Sequence, residues 1–195
     1  RAGWWSRGLG DVYKRQGKQW GLKLSYIEQK KPNGIAEAFI LAKNFIKDSP
    51  SCLILGDNIY HGNNLSNFLK EADDDKENST VFAYQVKDPE RFGVLNLNKK
   101  WNPVKIVEKP KSPKSNLAIT GLYFFPKDVV SRAKNLKPSK RGELEITDLN
   151  QSYLSDKKLK VKILNRGFTW MDTGTFDSLL AVSYTHLTLP TSVIV

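Results

Sequence analysis

Between Gly17 and Ser183 the apolar residues repeatedly change spacing, from every second position to every third or fourth and back. Strand and helix periods that alternate along a chain leave few architectures, because strands and helices must bury their apolar faces against one another in layers. Leu22, Leu24 and Tyr26 keep a period of two and predict a half-buried strand, after which Ile35, Phe39, Ala42 and Ile46 fall on one face of a helix. The apolar run from Cys52 to Leu55 predicts a short strand buried on both faces, closed by the turn composition Gly56-Asp57-Asn58. Leu65, Phe68, Leu69 and Ala72 then mark the inward face of a helix. Further strands are predicted at Thr80 to Val86, Gly93 to Leu97, Val104 to Val107, Ile119 to Phe125 and Leu159 to Leu164, with helices at Asp128 to Asn135, Leu144 to Leu154 and Phe176 to Val182. The pattern predicts a three-layer α/β domain, and the succession of strands in the middle predicts a mixed rather than purely parallel sheet.

Both ends depart from this pattern. Residues 1–16 carry Trp4 and Trp5 with no periodicity to bury them, and residues 184–195 contain no Asp, Glu, Lys or Arg. They read as non-native tails around a core at 17–183. The 195 residues are enough for one compact domain. A single cysteine, Cys52, excludes an internal disulfide framework, and its apolar setting predicts a buried thiol in a reducing, cytoplasmic compartment. No stretch approaches the roughly 18 apolar residues of a membrane span, so no membrane partner is expected. The net charge of +11 admits a nucleic-acid partner. However, the lysines are interleaved with acids, as in Lys87-Asp88-Pro89-Glu90-Arg91, which favours a solvated surface or a small phosphorylated substrate over DNA or RNA.

Four places hold candidate chemistry. Asp57 follows a buried strand, where α/β sheets collect ligands, although Gly-Asp-Asn is equally a turn former. Asp172, in Trp170-Met171-Asp172-Thr173-Gly174-Thr175, lies between a short strand and a helix and alone is equally a loop residue. Brought within about 4 Å, two carboxylates repel by roughly 4 kcal/mol at an effective dielectric of 20, which favours a cation between them. With two histidines and one cysteine in the chain, zinc lacks ligands, and magnesium shared with substrate phosphates fits better. In Val107-Glu108-Lys109-Pro110, Lys109 could pair with a phosphate while Glu108 accepts hydrogen bonds from sugar hydroxyls, against the plain reading of an exposed charged pair before a proline. The stretch from Gln29 through Gly34 to Ala38 runs from a strand exit into a helix start, where free amides suit an anion or a base edge; it is also simply a well-formed connection. Neither a Walker loop nor a dinucleotide glycine fingerprint is present.

Taken in order, Gly17 to Gly21, Gln29 to Phe39, Leu55-Gly56-Asp57-Asn58-Ile59-Tyr60-His61-Gly62, Val81 to Tyr84, Asp88 to Val94, Glu108-Lys109-Pro110, Thr120 to Tyr123, Lys134 to Pro138, Arg141 to Asp148 and Trp170 to Thr175 resemble the glucose-1-phosphate thymidylyltransferase family. The resemblance covers nearly all of 17–183. It implies a Rossmann-like nucleotidyltransferase domain with a mixed, mostly parallel sheet, truncated at both ends. It also implies transfer from dTTP to glucose 1-phosphate, giving dTDP-glucose and pyrophosphate on the route to dTDP-rhamnose, in a cytoplasmic homo-oligomer, a tetramer by family pattern. Carried over by position, Gln29 and Gly34 would meet the nucleotide base, and Asp57 with Asp172 would hold Mg2+. Gly93, Glu108 and Ile119 would meet the sugar, and Lys109 its phosphate.

The family's opening strand and its glycine-rich loop of the form Gly-x-Gly-x-x-x-Arg are not found in this sequence, nor are its C-terminal helices. This segment by itself is therefore expected to be inactive, poorly stable and prone to aggregate. A related enzyme using UTP, CTP or GTP, and a non-catalytic sugar-nucleotide binding domain, remain open as alternatives. Retention of Asp57, Asp172 and Lys109 together weighs against the second.

Overall fold

The computed structural model describes Gly17 and residues 21–180, which divide into two compact units, 1–31 and 32–195. Both proposed tails, 1–16 and 184–195, lie outside the described residues, as do the last two positions of the helix expected at Phe176 to Val182, of which residues 176–180 are helical. In the first unit, residues 21–31 form no strand, and Leu22, Leu24 and Tyr26 are all exposed. A period of two makes a strand only where a neighbour accepts its backbone hydrogen bonds, and no described residue pairs with this segment in a ladder.

The second unit begins with two short helices, α1 (Glu37–Leu41) and α2 (Lys43–Ile46), where one helix was expected. The break falls at Ala42, whose φ of −84° and ψ of 8° leave the helical region. Strand β1 (Ser51–Ile54) follows, then β2 (Asn58–Gly62), α3 (Leu65–Asp74) and β3 (Ser79–Gln85). A single 3₁₀ turn, Pro89–Arg91, leads into β4 (Gly93–Leu97), β5 (Pro103–Glu108) and β6 (Leu117–Phe125). Next come α4 (Val129–Asn135), α5 (Ile146–Ser155), β7 (Leu159–Leu164) and β8 (Phe168–Asp172), followed by the helical residues 176–180.

Six strands form one sheet in the order β5-β4-β6-β3-β7, with β1 also paired to β6; β2 and β8 form a separate ribbon. The sheet is mixed as expected, but it is not mostly parallel: among the described strands β3 with β7 is the parallel pair, and the other pairings are antiparallel. The reason lies in the connections. β4 and β5 are joined by a short loop and pair antiparallel as a hairpin, whereas the β3–β7 pair is separated by helices.

Side chains alternate across the sheet and fill two cores, giving the three layers expected. Tyr123 and Phe125 of β6, with Val81 and Ala83 of β3, face α1, α4 and α5. Phe125 packs edge-on against Phe39 at 5.1 Å and beside Tyr153 at 5.6 Å, each ring contributing about 1.5 to 3 kcal/mol by burial. On the other face Phe82, Leu122 and Leu164 meet Ala72, Phe68 and Leu69 of α3 together with Tyr60 and Phe168 of the ribbon. The predicted inward face of α3 is the face observed. Strand β1 is not buried on both sides: Leu53 packs on the first core, while Cys52 and Ile54 are exposed, so the thiol is not buried as expected. Continuous apolar sequence records burial only when both faces are covered, and no described residue covers the outer face of β1.

Asp75, just after α3, ties three elements. Its carboxylate accepts the backbone N–H groups of Glu77 and Asn78 at 3.2 and 3.1 Å and pairs with Lys160 on β7. Burial alone would raise this carboxyl, but the Lys160 ammonium and the Asn78 and Glu77 donors outweigh it and hold it at about 2, against an ordinary 3.8. A depressed carboxyl adds stability that is present above its unfolded value and lost as pH falls through the folded one. Asp75→Asn is expected to lower stability at neutral pH by about 1 kcal/mol. Urea unfolding across pH should show the gap to the parent closing between pH 4 and pH 2.

Candidate functional site

The long strand β6 has one neighbour, β3, along one edge and two along the other: β4 at its start, through Val94 opposite Ala118, and β1 at its end, through Ile54 opposite Leu122. Between them the edge at residues 119–121 is open. A cleft of about 170 Å³ lies at this fork, and its walls include Ile119, Gly93, Glu108, Lys109, Asp57 and Asp172. Divergence of neighbouring strands is where open α/β sheets form binding crevices.

Asp57 stands just before β2 and Asp172 ends β8, and the antiparallel ribbon sets Asn58 opposite Asp172. The Asp57 carbonyl accepts the backbone N–H of Thr173 at 2.8 Å and its hydroxyl at 2.7 Å, locking the two strand ends together. The side chains converge on Gly174: a β-carbon there would stand 2.8 Å from Asp57 Oδ2 and 3.1 Å from Asp172 Oδ1. A glycine thus leaves clear the space that both carboxylates face. Asp172 Oδ1 also accepts the Gly174 N–H at 3.0 Å, and Arg91 brings Nη2 to 3.7 Å from Asp172 Oδ2. No group of three or more His, Cys, Asp or Glu side chains placed to hold a metal occurs among the described residues. A cation between Asp57 and Asp172 would take its remaining ligands from water or a bound molecule, as magnesium does with substrate phosphates.

Across the cleft, Gly93 of β4 pairs with Glu108 of β5. Thr147 of α5 donates its hydroxyl to Glu108 Oε2, and Arg141 lies 3.8 Å from Glu108 Oε1 while also holding Glu145 at 3.0 Å. A β-carbon on Gly93 would come within 3.0 Å of the Thr147 hydroxyl, so glycine keeps this wall open. Lys109 follows with a φ of 40°, its N–H bonded to the Phe92 carbonyl at 3.0 Å. A left-handed lysine before proline is strained, because that position prefers an extended backbone. Ile119, 7% exposed, lines the floor.

The two remaining candidates part company. Gln29 belongs to the first unit and is exposed there. Gly34 belongs to the second and has a structural reason of its own: at φ 101°, a β-carbon would lie 2.3 Å from the Leu144 carbonyl oxygen. Neighbouring backbone bonds, Leu144 N–H to Asn33 and Ala36 N–H to Leu144, stitch the segment before α1 to the one before α5.

Arg91, Arg141, Thr147 and Asn58 also stand at the site and were not picked out from the sequence. Asn58 directly follows a picked residue, and Arg141 opens a run with acids at alternate positions, Glu143 and Glu145, which in extended chain share a side. Arg91 and Thr147 gave no such signal.

The forked mixed sheet over paired carboxylates is the arrangement of an α/β nucleotide-transfer domain, and known proteins of that class match it. The nucleotidyl transferase family matches residues 9–188, and the chain belongs to that family. The match passes the expected 17–183 core at both ends. A glucose-1-phosphate thymidylyltransferase of Neisseria meningitidis serogroup A is 53% identical over 163 residues, 84% of this chain and 57% of the relative. Another from Mycobacterium tuberculosis is 44% identical over 164 residues, with the same coverage. A solved Bacillus anthracis structure named for the same activity, with sucrose bound, superposes with a TM-score of 0.78 at 38% identity, covering 92% of this chain and 72% of that one. UDP-glucose pyrophosphorylase with UDP-glucose shares the fold at a TM-score of 0.72 and 19% identity, covering 93% of this chain and 78% of that one. The chain spans somewhat over half the length of the curated relatives it matches. No helix among the described residues is long and apolar enough to cross a membrane.

Gly34→Ala would combine a left-handed backbone with overlap against Leu144. It is expected to cost about 2 kcal/mol or more, read as a lower urea midpoint with unchanged slope.

Proposed function

We propose that the protein containing this chain transfers the thymidylyl group of dTTP to glucose 1-phosphate, giving dTDP-glucose and pyrophosphate. The observation that carries this reading is the convergence of Asp57 and Asp172 on the open face of Gly174, in the cleft that Lys109 and Glu108 also line. The thymidylyltransferases among the relatives supply the choice of base and sugar.

In the reaction, an oxygen of the sugar phosphate attacks the α-phosphorus of the triphosphate. The bond from that phosphorus to the bridging oxygen breaks, and the electron pair leaves with pyrophosphate. No protein nucleophile is needed; the work is alignment and charge neutralisation. Lys109 would hold the attacking phosphate, and Arg91 would add positive charge beside Asp172. Glu108 would accept hydrogen bonds from sugar hydroxyls, its carboxylate already oriented by Thr147 and Arg141. Gly93 and Ile119 would bound the sugar, with Gln29 and Gly34 at the base. Asp57 and Asp172 would hold Mg2+, which when bound supplies a Lewis acid at a phosphoryl oxygen. On this reading the protein would open the route to dTDP-rhamnose in the cytoplasm, and the family resemblance would make it a homo-oligomer, a tetramer.

The test is pyrophosphate release by the native-length protein with glucose 1-phosphate and each nucleoside triphosphate. Activity should require a divalent metal and be greatest with dTTP. Asp172→Asn and Lys109→Gly should each lower kcat/KM by roughly 10² to 10⁴. Lys109→Gly should leave the unfolding midpoint unchanged or raised, since glycine relieves the left-handed backbone. Equal use of UTP would overturn the base assignment, and an unaffected Asp172→Asn would overturn the metal pair.

A further inference from the structure

The Asn58 side chain joins the β2–β8 ribbon to the main sheet. Its Oδ1 accepts the Trp170 indole N–H at 2.7 Å, the Gly121 backbone N–H at 3.0 Å and the Tyr60 hydroxyl at 3.4 Å. Three donors meeting one atom require that atom to be the oxygen, which fixes the orientation of the amide. The NH2 group is thereby turned to Asp57, donating to Oδ1 at 2.8 Å. With Oδ1 engaged, Oδ2 is the oxygen that faces Gly174 and Asp172.

The seat for this amide is built into the main sheet. Gly121 sits on the open edge of β6, where no strand takes its N–H, and Asn58 fills the role of the missing neighbour. A β-carbon on Gly121 would lie 2.7 Å from Asn58 Oδ1 and 2.8 Å from its Cγ, so the approach depends on glycine. Trp170, 7% exposed, is held in turn by the rings of Phe92 at 5.1 Å and Tyr84 at 6.0 Å. The indole therefore offers its N–H from a packed position. Through Asn58 the ribbon that ends in Asp172 and begins after Asp57 is pinned to the centre of the sheet.

Resting on the metal pair proposed above, we infer that Asn58 is a positioning residue: it reserves Asp57 Oδ2 for the cation and sets the placement of that oxygen against Asp172. Residues that orient metal ligands typically change affinity 10- to 100-fold when removed. Gly121→Ala should displace the Asn58 amide without changing either carboxylate, and because its new methyl would also lie 2.8 Å from Leu55 Cβ its effect is read beside that of Asn58→Ser.

The experiment is a Mn2+ titration of the native-length protein followed by electron paramagnetic resonance, with dTDP-glucose present and absent, beside thermal unfolding of each variant. Asn58→Ser and Gly121→Ala should each weaken Mn2+ binding by about 10- to 100-fold. The double variant should be no weaker than Asn58→Ser alone, since both changes remove one arrangement. Asp172→Asn separates the two claims: if it leaves Mn2+ binding unchanged, or if the parent binds none in either condition, the metal pair fails and the role of Asn58 with it. If Asp172→Asn weakens binding while folded Asn58→Ser does not, the positioning role alone is overturned. Additive losses in the double variant would also overturn it. Should Asn58→Ser fail to fold, Gly121→Ala and Trp170→Phe decide instead: the first should weaken Mn2+ binding by at least 10-fold at an unfolding midpoint no lower than that of the second, and unchanged binding overturns the role.

Discussion

A long strand flanked on one edge by two short neighbours must leave a gap where they part, and in β6 that gap falls at residues 119–121, in the middle of the sheet. Backbone groups exposed there need partners that a ladder does not supply. One solution is a side chain acting as a strand, which Asn58 does for the Gly121 N–H; another is a single bond from a chain just leaving its strand, which Leu55 N–H makes to the Gly121 carbonyl at 2.8 Å. The gap is thus bridged on the side of β1 and open toward β4 and β5, and the cleft follows from strand pairing before any functional residue is considered.

Into this cleft the fold sends three carboxylates, from Asp57, Asp172 and Glu108, and each arrives with a donor attached. Asn58 serves Asp57, the Gly174 N–H and Arg91 serve Asp172, and Thr147 with Arg141 serve Glu108. Fixed donors of this kind reduce the mutual repulsion of the acids and orient the oxygens that are left over. For Asp57 the oxygen beside Gly174 is Oδ2, while Asp172 Oδ1 is held by the Gly174 N–H and its Oδ2 lies 3.7 Å from Arg91, so both carboxylates border the space over Gly174.

How much of this the sequence showed depended on the range of the forces involved. Strands β4 and β7 were legible to the residue and helix α3 by its inward face, because local period and burial agree in them. The ribbon of β2 and β8 was legible only as a turn and a short strand, since its pairing joins segments more than a hundred residues apart. The strand expected around Leu24 and the buried thiol expected at Cys52 show the converse, apolar patterns whose covering partner is not among the described residues. Asp57, Asp172, Glu108 and Lys109 could be picked by chemical type, whereas Asn58 could not: its meaning lies in Gly121 and in Trp170, 112 residues away.

The groups that line the cleft differ in how firmly the backbone holds them. Gly93, Glu108, Ile119 and Asp172 all sit within strands, where ladder bonds fix the backbone of Gly93 and the direction of the other three side chains. Lys109 stands one residue beyond the ladder, in a left-handed conformation that costs on the order of 1 to 3 kcal/mol for a residue other than glycine. Its N–H bond to Phe92 and the Gly93–Glu108 pair beside it are what hold that conformation. The placement of the lysine therefore draws on the stability of the β4–β5 hairpin, which also carries Glu108, whereas Asp57 and Asp172 are anchored at the ends of the separate β2–β8 ribbon.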